Sequence, residues 1–173
     1  MAAVSITAPN REGVSLLDIA REVAAMARAA LPPMWIEWKR LNGFHPVEPA
    51  SYGVCVPTSF ALRNALRRAV PEVRWDVVGG RPTKRTPRGG FLSRDGKANP
   101  HVWVVGRGSE GVAVIDITAD QFGCEPVVAM LSGRSYKANA TRRLLQRYEA
   151  HELVTAEMFT MAIDHAFRRT TAA

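Results

Sequence analysis

Apolar positions recur at helical spacing from Leu17 through Ala20, Ala24 and Ala27 to Leu31, predicting an amphipathic helix over residues 15–31 with one stripe facing a core. Ser15 supplies an N-cap, Asp18 stands three residues on as a short capping-box partner, and Val14 is placed to staple against Ile19. Pro32 and Pro33 stop this helix; the apolar, aromatic stretch 34–38 that follows is short. Gly43, Pro46, Pro49 and Gly53 make 41–53 an irregular loop. A second helix is predicted over 56–69, where Leu62, Ala65, Leu66 and Ala69 fall at i, i+3, i+4 and i+7 and Arg63, Arg67 and Arg68 take the polar side. Pro57 suits its first turn and Pro71 closes it.

The pattern then changes to β. Residues 73–78 read as a strand ended by Gly79 and Gly80, and 81–97 as a Gly/Pro/Arg/Lys loop with Phe91 and Leu92 inside it. The strongest signal is a pair of β-branched runs, 101–105 and 112–117, joined by the Gly-rich segment 106–111 into a hairpin. With the turn centred on that segment, His101 falls directly opposite Asp116, Trp103 opposite Val114 and Val105 opposite Val112. Directly opposed residues share a face with Cβ atoms ~5 Å apart, whereas a one-residue slip would separate them. Another short apolar stretch follows Gly123, and two helices are expected over about 140–153 and 156–169. The sum is a single mixed α+β domain spanning 1–173.

Composition narrows the class. The chain has 173 residues, 47% hydrophobic and 23% charged, enough for a core without a disulfide or metal to hold it. No apolar run approaches the ~18 residues of a membrane span, and no basic start followed by an apolar stretch marks a secretory signal. A cytoplasmic location is expected, with export by another route left open. Lys and Arg number 23 against 16 Asp and Glu, a net charge of +7 that favours anionic partners. The loop 81–97 concentrates Arg81, Lys84, Arg85, Arg88, Arg94 and Lys97, as an anion-contacting or substrate-gating loop or as a solvated surface. Only Phe91 interleaves those charges, so nucleic acid is not the expected partner. His45, His151 and His165 have no metal-ligand spacing, and neither a metal nor another cofactor is expected. Trp35, Trp38 and Trp75 read as core or cleft-wall aromatics, and Cys124 as a packed thiol.

Three residues point to chemistry. Cys55 stands immediately before the first turn of the second helix, where free amides and the helix dipole favour a thiolate. Ser59, Leu62 and Leu66 follow at +4, +7 and +11, placing Cys55 at the end of the buried side. The imidazole of His101 beside the carboxylate of Asp116 supplies a base with a fixed tautomer. A thiol, a histidine and an orienting carboxylate in this order form a constellation for nucleophilic acyl transfer. The backbone N–H of Cys55 is a natural oxyanion donor, and Gln121, Asn99, Trp103 and Tyr52 are candidates for the second. Asp120 is a runner-up carboxylate past the hairpin.

The segments Gly53-Val-Cys55-Val-Pro-Thr-Ser59-Phe-Ala-Leu62-Arg-Asn-Ala-Leu66-Arg67, Val77-Val-Gly79-Gly80, His101-Val-Trp103-Val and Val114-Ile-Asp116-Ile-Thr118 resemble the transglutaminase-like core of the papain-like cysteine enzymes. The resemblance covers about residues 53–118, within a core of about 53–123. It departs at Pro57, at Ile117 in place of the usual proline, and at Val105 in place of a glutamate. The stretch from Asp116 to Gly123 is similar to bacterial members of unassigned function; whether the chain acts as a bacterial toxin or effector stays open. The resemblance implies a papain-like fold with the nucleophile helix packed on an antiparallel β-sheet. It also implies Cys55 as nucleophile, His101 as base and Asp116 as orienting acid. The implied activity is that of a cysteine peptidase, amidase or deamidase on a protein or peptide substrate. A protein-glutamine transglutaminase is the alternative within the family. A non-catalytic basic module binding an anionic partner is the alternative from another class.

Overall fold

The computed structural model describes residues 15–45, 49–109 and 111–171. Ser15 caps α1 (Leu16–Ala30) by accepting from the Asp18 N–H at 3.2 Å, while its hydroxyl donates to the Asp18 carboxylate at 2.8 Å. The expected staple partner Val14 lies outside the described residues. Ala20, Val23, Ala24 and Ala27 form the buried stripe. Pro32 and Pro33 do more than stop α1. They occupy the first turn of α2 (Pro32–Leu41), where a missing N–H has no intrahelical acceptor to lose, so the short aromatic stretch is part of a helix. Trp35 is buried there, and Trp38 stacks on Phe44 with ring centroids 5.5 Å apart. Next comes α3 (Cys55–Ala69), one residue longer at its start than predicted.

The larger sheet has order β1-β4-β5-β6, built from β1 (Arg74–Gly80), β4 (His101–Gly108), β5 (Gly111–Asp116) and β6 (Val128–Leu131), every pair antiparallel. A smaller antiparallel sheet, β3-β2-β7, joins β2 (Gly90–Leu92), β3 (Ala98–Asn99) and β7 (Tyr136–Lys137). The basic segment 81–97 is therefore not all loop: Phe91 pairs with both Asn99 and Tyr136. Nor does β1 end before its glycines. Gly80 pairs with His101, and a Cβ at Gly80 would lie 2.3 Å from the Lys137 carbonyl oxygen and 2.5 Å from the Gly90 nitrogen, so the two sheets meet where only glycine fits.

The hairpin register also differs from expectation. Gly108 pairs with Gly111, Val105 with Val114 and Val104 with Ile115, so Gly106, Arg107 and Gly108 belong to β4 and not to the turn. Gly106 is a packing glycine: a Cβ there would fall 2.4 Å from the Trp75 ring. His101 is thus the diagonal rather than the direct neighbour of Asp116, and Trp103 does not oppose Val114. Because the turn centre moves by one whole residue, each residue's cross-strand partner shifts by two. Facial parity is kept and both side chains stay on one face.

Alternation along β4 separates two cores. Val104, with Trp75, Ala113, Ile115 and Ile117, faces α1, α3 and α4, while Trp103 and Val105 face the small sheet. The last helix, α4 (Arg142–Thr171), is continuous where two were expected. No glycine or proline interrupts it, the β-branched pair Val154-Thr155 costs only tenths of a kcal/mol, and Ala156, Phe159 and Ile163 bury one face across that point. Arg63 pairs with Glu149 at 2.8 Å and Arg68 with Asp164, joining α3 to α4. The class is α+β with antiparallel sheets. Among the described residues no helix is long and apolar enough to cross a membrane.

Candidate active site

His101 is the first residue of β4, at the end of the sheet, and Asp116 is the last of β5. Their side chains are 0% and 1% exposed, and His101 Nε2 lies 2.7 Å from Asp116 Oδ2. Burying a carboxylate is costly unless its lone pairs are satisfied, and here all of them are. Tyr136 Oη donates to the same Oδ2 at 2.9 Å, while the Thr118 N–H and Oγ1 donate to Oδ1 at 2.8 and 3.0 Å. Burial alone would raise the Asp116 pKa, but His101, Thr118 and Tyr136 together hold it below the usual carboxylate value. Burial likewise would depress His101. The charge and hydrogen bond of Asp116, with a lesser push from Cys55, reverse this and raise it to about 10. Tyr136 is held firmly as a phenol, by burial first and the Asp116 charge second. Both shifts favour the pair in its charged form, carboxylate and imidazolium.

An aromatic cage fixes the ring. Phe122 and Phe91 meet His101 edge-on, with centroids 5.0 and 5.8 Å away, and Trp103 lies nearly parallel at 6.0 Å. Tyr136 closes the cage against Phe91 and Trp103 at 4.9 and 5.1 Å. Sequence reasoning missed Phe91, Phe122 and Tyr136 as site residues. Phe91 stood out as an aromatic inside a charged loop, but nothing local linked Tyr136 to a carboxylate twenty residues away.

The thiol comes from the other layer. Cys55, the first residue of α3, packs with Val56 and Tyr148 against the cluster of Phe60, Val77, Val102 and Ala156. The helix is fastened to the sheet one residue from His101, where Ser59 Oγ donates to the Val102 carbonyl at 3.0 Å. With Nε2 committed to Asp116, the buried Nδ1 has no hydrogen-bond partner among the described residues and is the nitrogen left for Cys55, whose thiol favours the protonated ring. No side chain caps α3. Among the described residues the backbone N–H groups of Cys55 and Val56 find no backbone acceptor, and Pro57 brings none to compete.

The other singled-out residues separate. Gln121 spends its amide on the Thr118 carbonyl at 2.8 Å, and Asn99 spends its own on Lys97 and Ser93 within the β2–β3 hairpin. Trp103 is buried behind the imidazole. Tyr52, half exposed just ahead of α3, has an uncommitted hydroxyl among the described residues. Asp120 lies in the 3₁₀ turn Ala119–Phe122 and is turned away to Arg28 and Ser51, so it ties α1 to the approach to Cys55. Cys124 is half-buried against the Trp103 cluster, and burial raises its pKa. His45, His151 and His165 are exposed.

A cleft of about 470 Å³ opens beside His101, walled by Gly80, Arg81 and the N-terminal turns of α4. A second hollow, lined by Val56 next to Cys55, shares Leu144, Arg147 and Tyr148 with it. No family model, curated protein or solved structure matches this chain.

Proposed function

We propose that the protein is a cysteine enzyme that opens amide bonds through a thioester, on a papain-like, transglutaminase-like arrangement of one helix and one antiparallel sheet. The observation that carries this reading is a fully buried His101–Asp116 pair whose second ring nitrogen finds no hydrogen-bond partner among the described residues, with Cys55 near enough to favour the protonated ring. A structural ion pair has no use for an unpaired nitrogen beside a thiol at the start of a helix. In the reaction the Cys55 thiolate attacks the carbonyl carbon, and the oxyanion is met by the free amides of Cys55 and Val56. The C–N bond then breaks as His101 Nδ1–H gives its proton to the departing amine, leaving an acyl-Cys55 thioester. Water attacks that carbonyl as Nδ1 takes up its proton, the acid leaves, and the thiolate–imidazolium pair is restored. Asp116 stays ionised throughout and fixes the ring through Nε2.

The test is reaction with p-nitrophenyl acetate. One equivalent of p-nitrophenolate is expected in a burst, with the acetyl group found on the Cys55 peptide. His101→Ala slows the burst, and Cys55→Ala removes it. Acetylation of Cys55 no faster than that of Cys124 overturns the proposal. Faster release of the acetyl group with a primary amine present favours transfer over hydrolysis.

A further inference from the structure

The arginines of this chain are not distributed alike. Several arginines away from the groove are neutralised: Arg28 by Asp120, Arg63 by Glu149, Arg68 by Asp164 and Arg107 by Asp76. In the wall of the cleft beside His101 stand Arg81, Arg143 and Arg147, and among the described residues no carboxylate lines it. None of these three guanidinium groups makes an ion pair or side-chain hydrogen bond among the described residues, although Asn139 grips the Arg81 backbone N–H at 2.9 Å and carbonyl at 2.8 Å. Arg81 follows directly on Gly80, the register partner of His101, so its place relative to the imidazole is set by the sheet. Arg147 borders both hollows, standing between the Val56 side and the His101 side. The α4 N-terminus opens into the same cleft, with Thr141 Oγ1 accepting from the Leu144 N–H at 3.3 Å, and adds its dipole to the positive field.

Unpaired positive charge facing a cavity next to a nucleophile has a physical consequence. An anion in such a cleft is attracted by the positive charge lining it, and guanidinium forks bind its oxygens two at a time. We infer, resting on the thiol acyl-transfer reading, that the groove selects substrates carrying an anionic group, a carboxylate or a phosphate. Arg81, Arg143 and Arg147 hold that group in the cleft beside His101 while the amide lies at Cys55. Neutral and basic peptides are poor substrates for the same reason.

Two alkylating agents of nearly equal size, iodoacetate and iodoacetamide, read this without a known substrate. The rate ratio at the Cys55 peptide, divided by the same ratio for glutathione, is expected to favour iodoacetate by roughly tenfold at low ionic strength. The preference shrinks as salt is added. The triple variant R81Q/R143Q/R147Q brings the ratio to the glutathione value, whereas Arg169→Gln, at the far end of α4, leaves it as it was. Protection of Cys55 from iodoacetamide by an acetylated acidic dipeptide or by inorganic phosphate, whichever acts at the lower concentration, assigns the source of the anion. A ratio equal to that of glutathione in the unaltered protein overturns the inference, while Cys55 reactive to iodoacetamide in that experiment leaves the acyl-transfer reading standing. Cys55 inert to both reagents instead overturns the acyl-transfer reading, and this inference with it.

Discussion

Asp116→Asn, made in a Cys55→Ala background so that thiol ionisation does not enter, isolates the buried pair. In the parent the Asp116 charge holds His101 protonated far above 6.5, its ordinary value. Between those two pH values the folded protein binds one proton more than the unfolded chain, so stability falls as pH rises, by about 1.4 kcal/mol per pH unit. The contribution is complete below 6.5 and is lost as pH climbs through the raised folded value. From pH 7 to 8.5 the loss is about 2 kcal/mol. Asp116 adds no slope there. Its pKa is lowered, so its share is present above the unfolded carboxylate value and is lost only as pH falls through the folded one.

In the asparagine variant the Thr118 donors still face a carbonyl oxygen, but an NH₂ group replaces Oδ2 opposite His101 Nε2 and Tyr136 Oη. The ring then accepts at Nε2 as the neutral Nδ1–H tautomer, and burial pulls its pKa below 6.5 unopposed. The pH slope disappears. Urea unfolding followed by tryptophan fluorescence at pH 7.0, 7.75 and 8.5 measures it in both proteins. Equal slopes in the two, or a flat line in the Cys55→Ala parent, refute the assignment of a carboxylate–imidazolium pair.

Tyr136→Phe removes one of the two donors to Oδ2 without opening a large cavity, and should cost about 1.5–3 kcal/mol in chemical denaturation, the range for a hydrogen bond to a charged group. Asp120→Ala leaves Arg28, only 18% exposed, without its carboxylate, and should lower stability by about 3 kcal/mol. Because Asp120 does not touch His101, the pH slope in the Cys55→Ala background stays as in the parent, which separates its role from that of Asp116. Gly80→Ala forces a methyl group against the backbone of β2 and β7 and should yield protein whose small sheet exchanges amide hydrogens at the rate of a frayed segment.

How much of this was legible depends on the length of the element. The Cys55 helix and the β4–β5 hairpin were readable because each carries a full period of its pattern, and the same-face placement of His101 and Asp116 depended only on parity. The register itself was not readable. Gly106 and Gly108 mark turns in sequence, yet Gly106 serves as the floor under Trp75, a residue on another strand. Strands β2, β3 and β7 have two or three residues each, too few to show alternation, and only β2 lies inside the charged loop, so the sheet that brings Phe91 and Tyr136 to His101 was not readable. Tyr136 and Phe122 acquire their role only when that sheet closes. The tie of Asp120 to Arg28 spans ninety-two residues and leaves no local trace.

The division of labour between layers explains where the site can be. The acid–base pair is built into the sheet, with every oxygen of Asp116 saturated and the ring boxed by aromatics, so its geometry is over-determined. The thiol rides on a helix whose position is set by apolar packing, by the Ser59–Val102 hydrogen bond beside His101 and by Arg67 donating to the Trp75 carbonyl at its other end. A buried polar atom without a partner costs about 1–3 kcal/mol. Two such atoms, His101 Nδ1 and Thr58 Oγ1 one turn along from Cys55, belong to the helix and strand that form this junction. A fold under no demand other than stability would gain by pairing them. Under the proposed acyl transfer an Nδ1 left open toward Cys55 has a use, because the same nitrogen would hold a proton against the thiolate, give it to a leaving amine and take one from water. The cost is placed where helix meets sheet, and the saturated network behind the ring keeps that cost from loosening the pair.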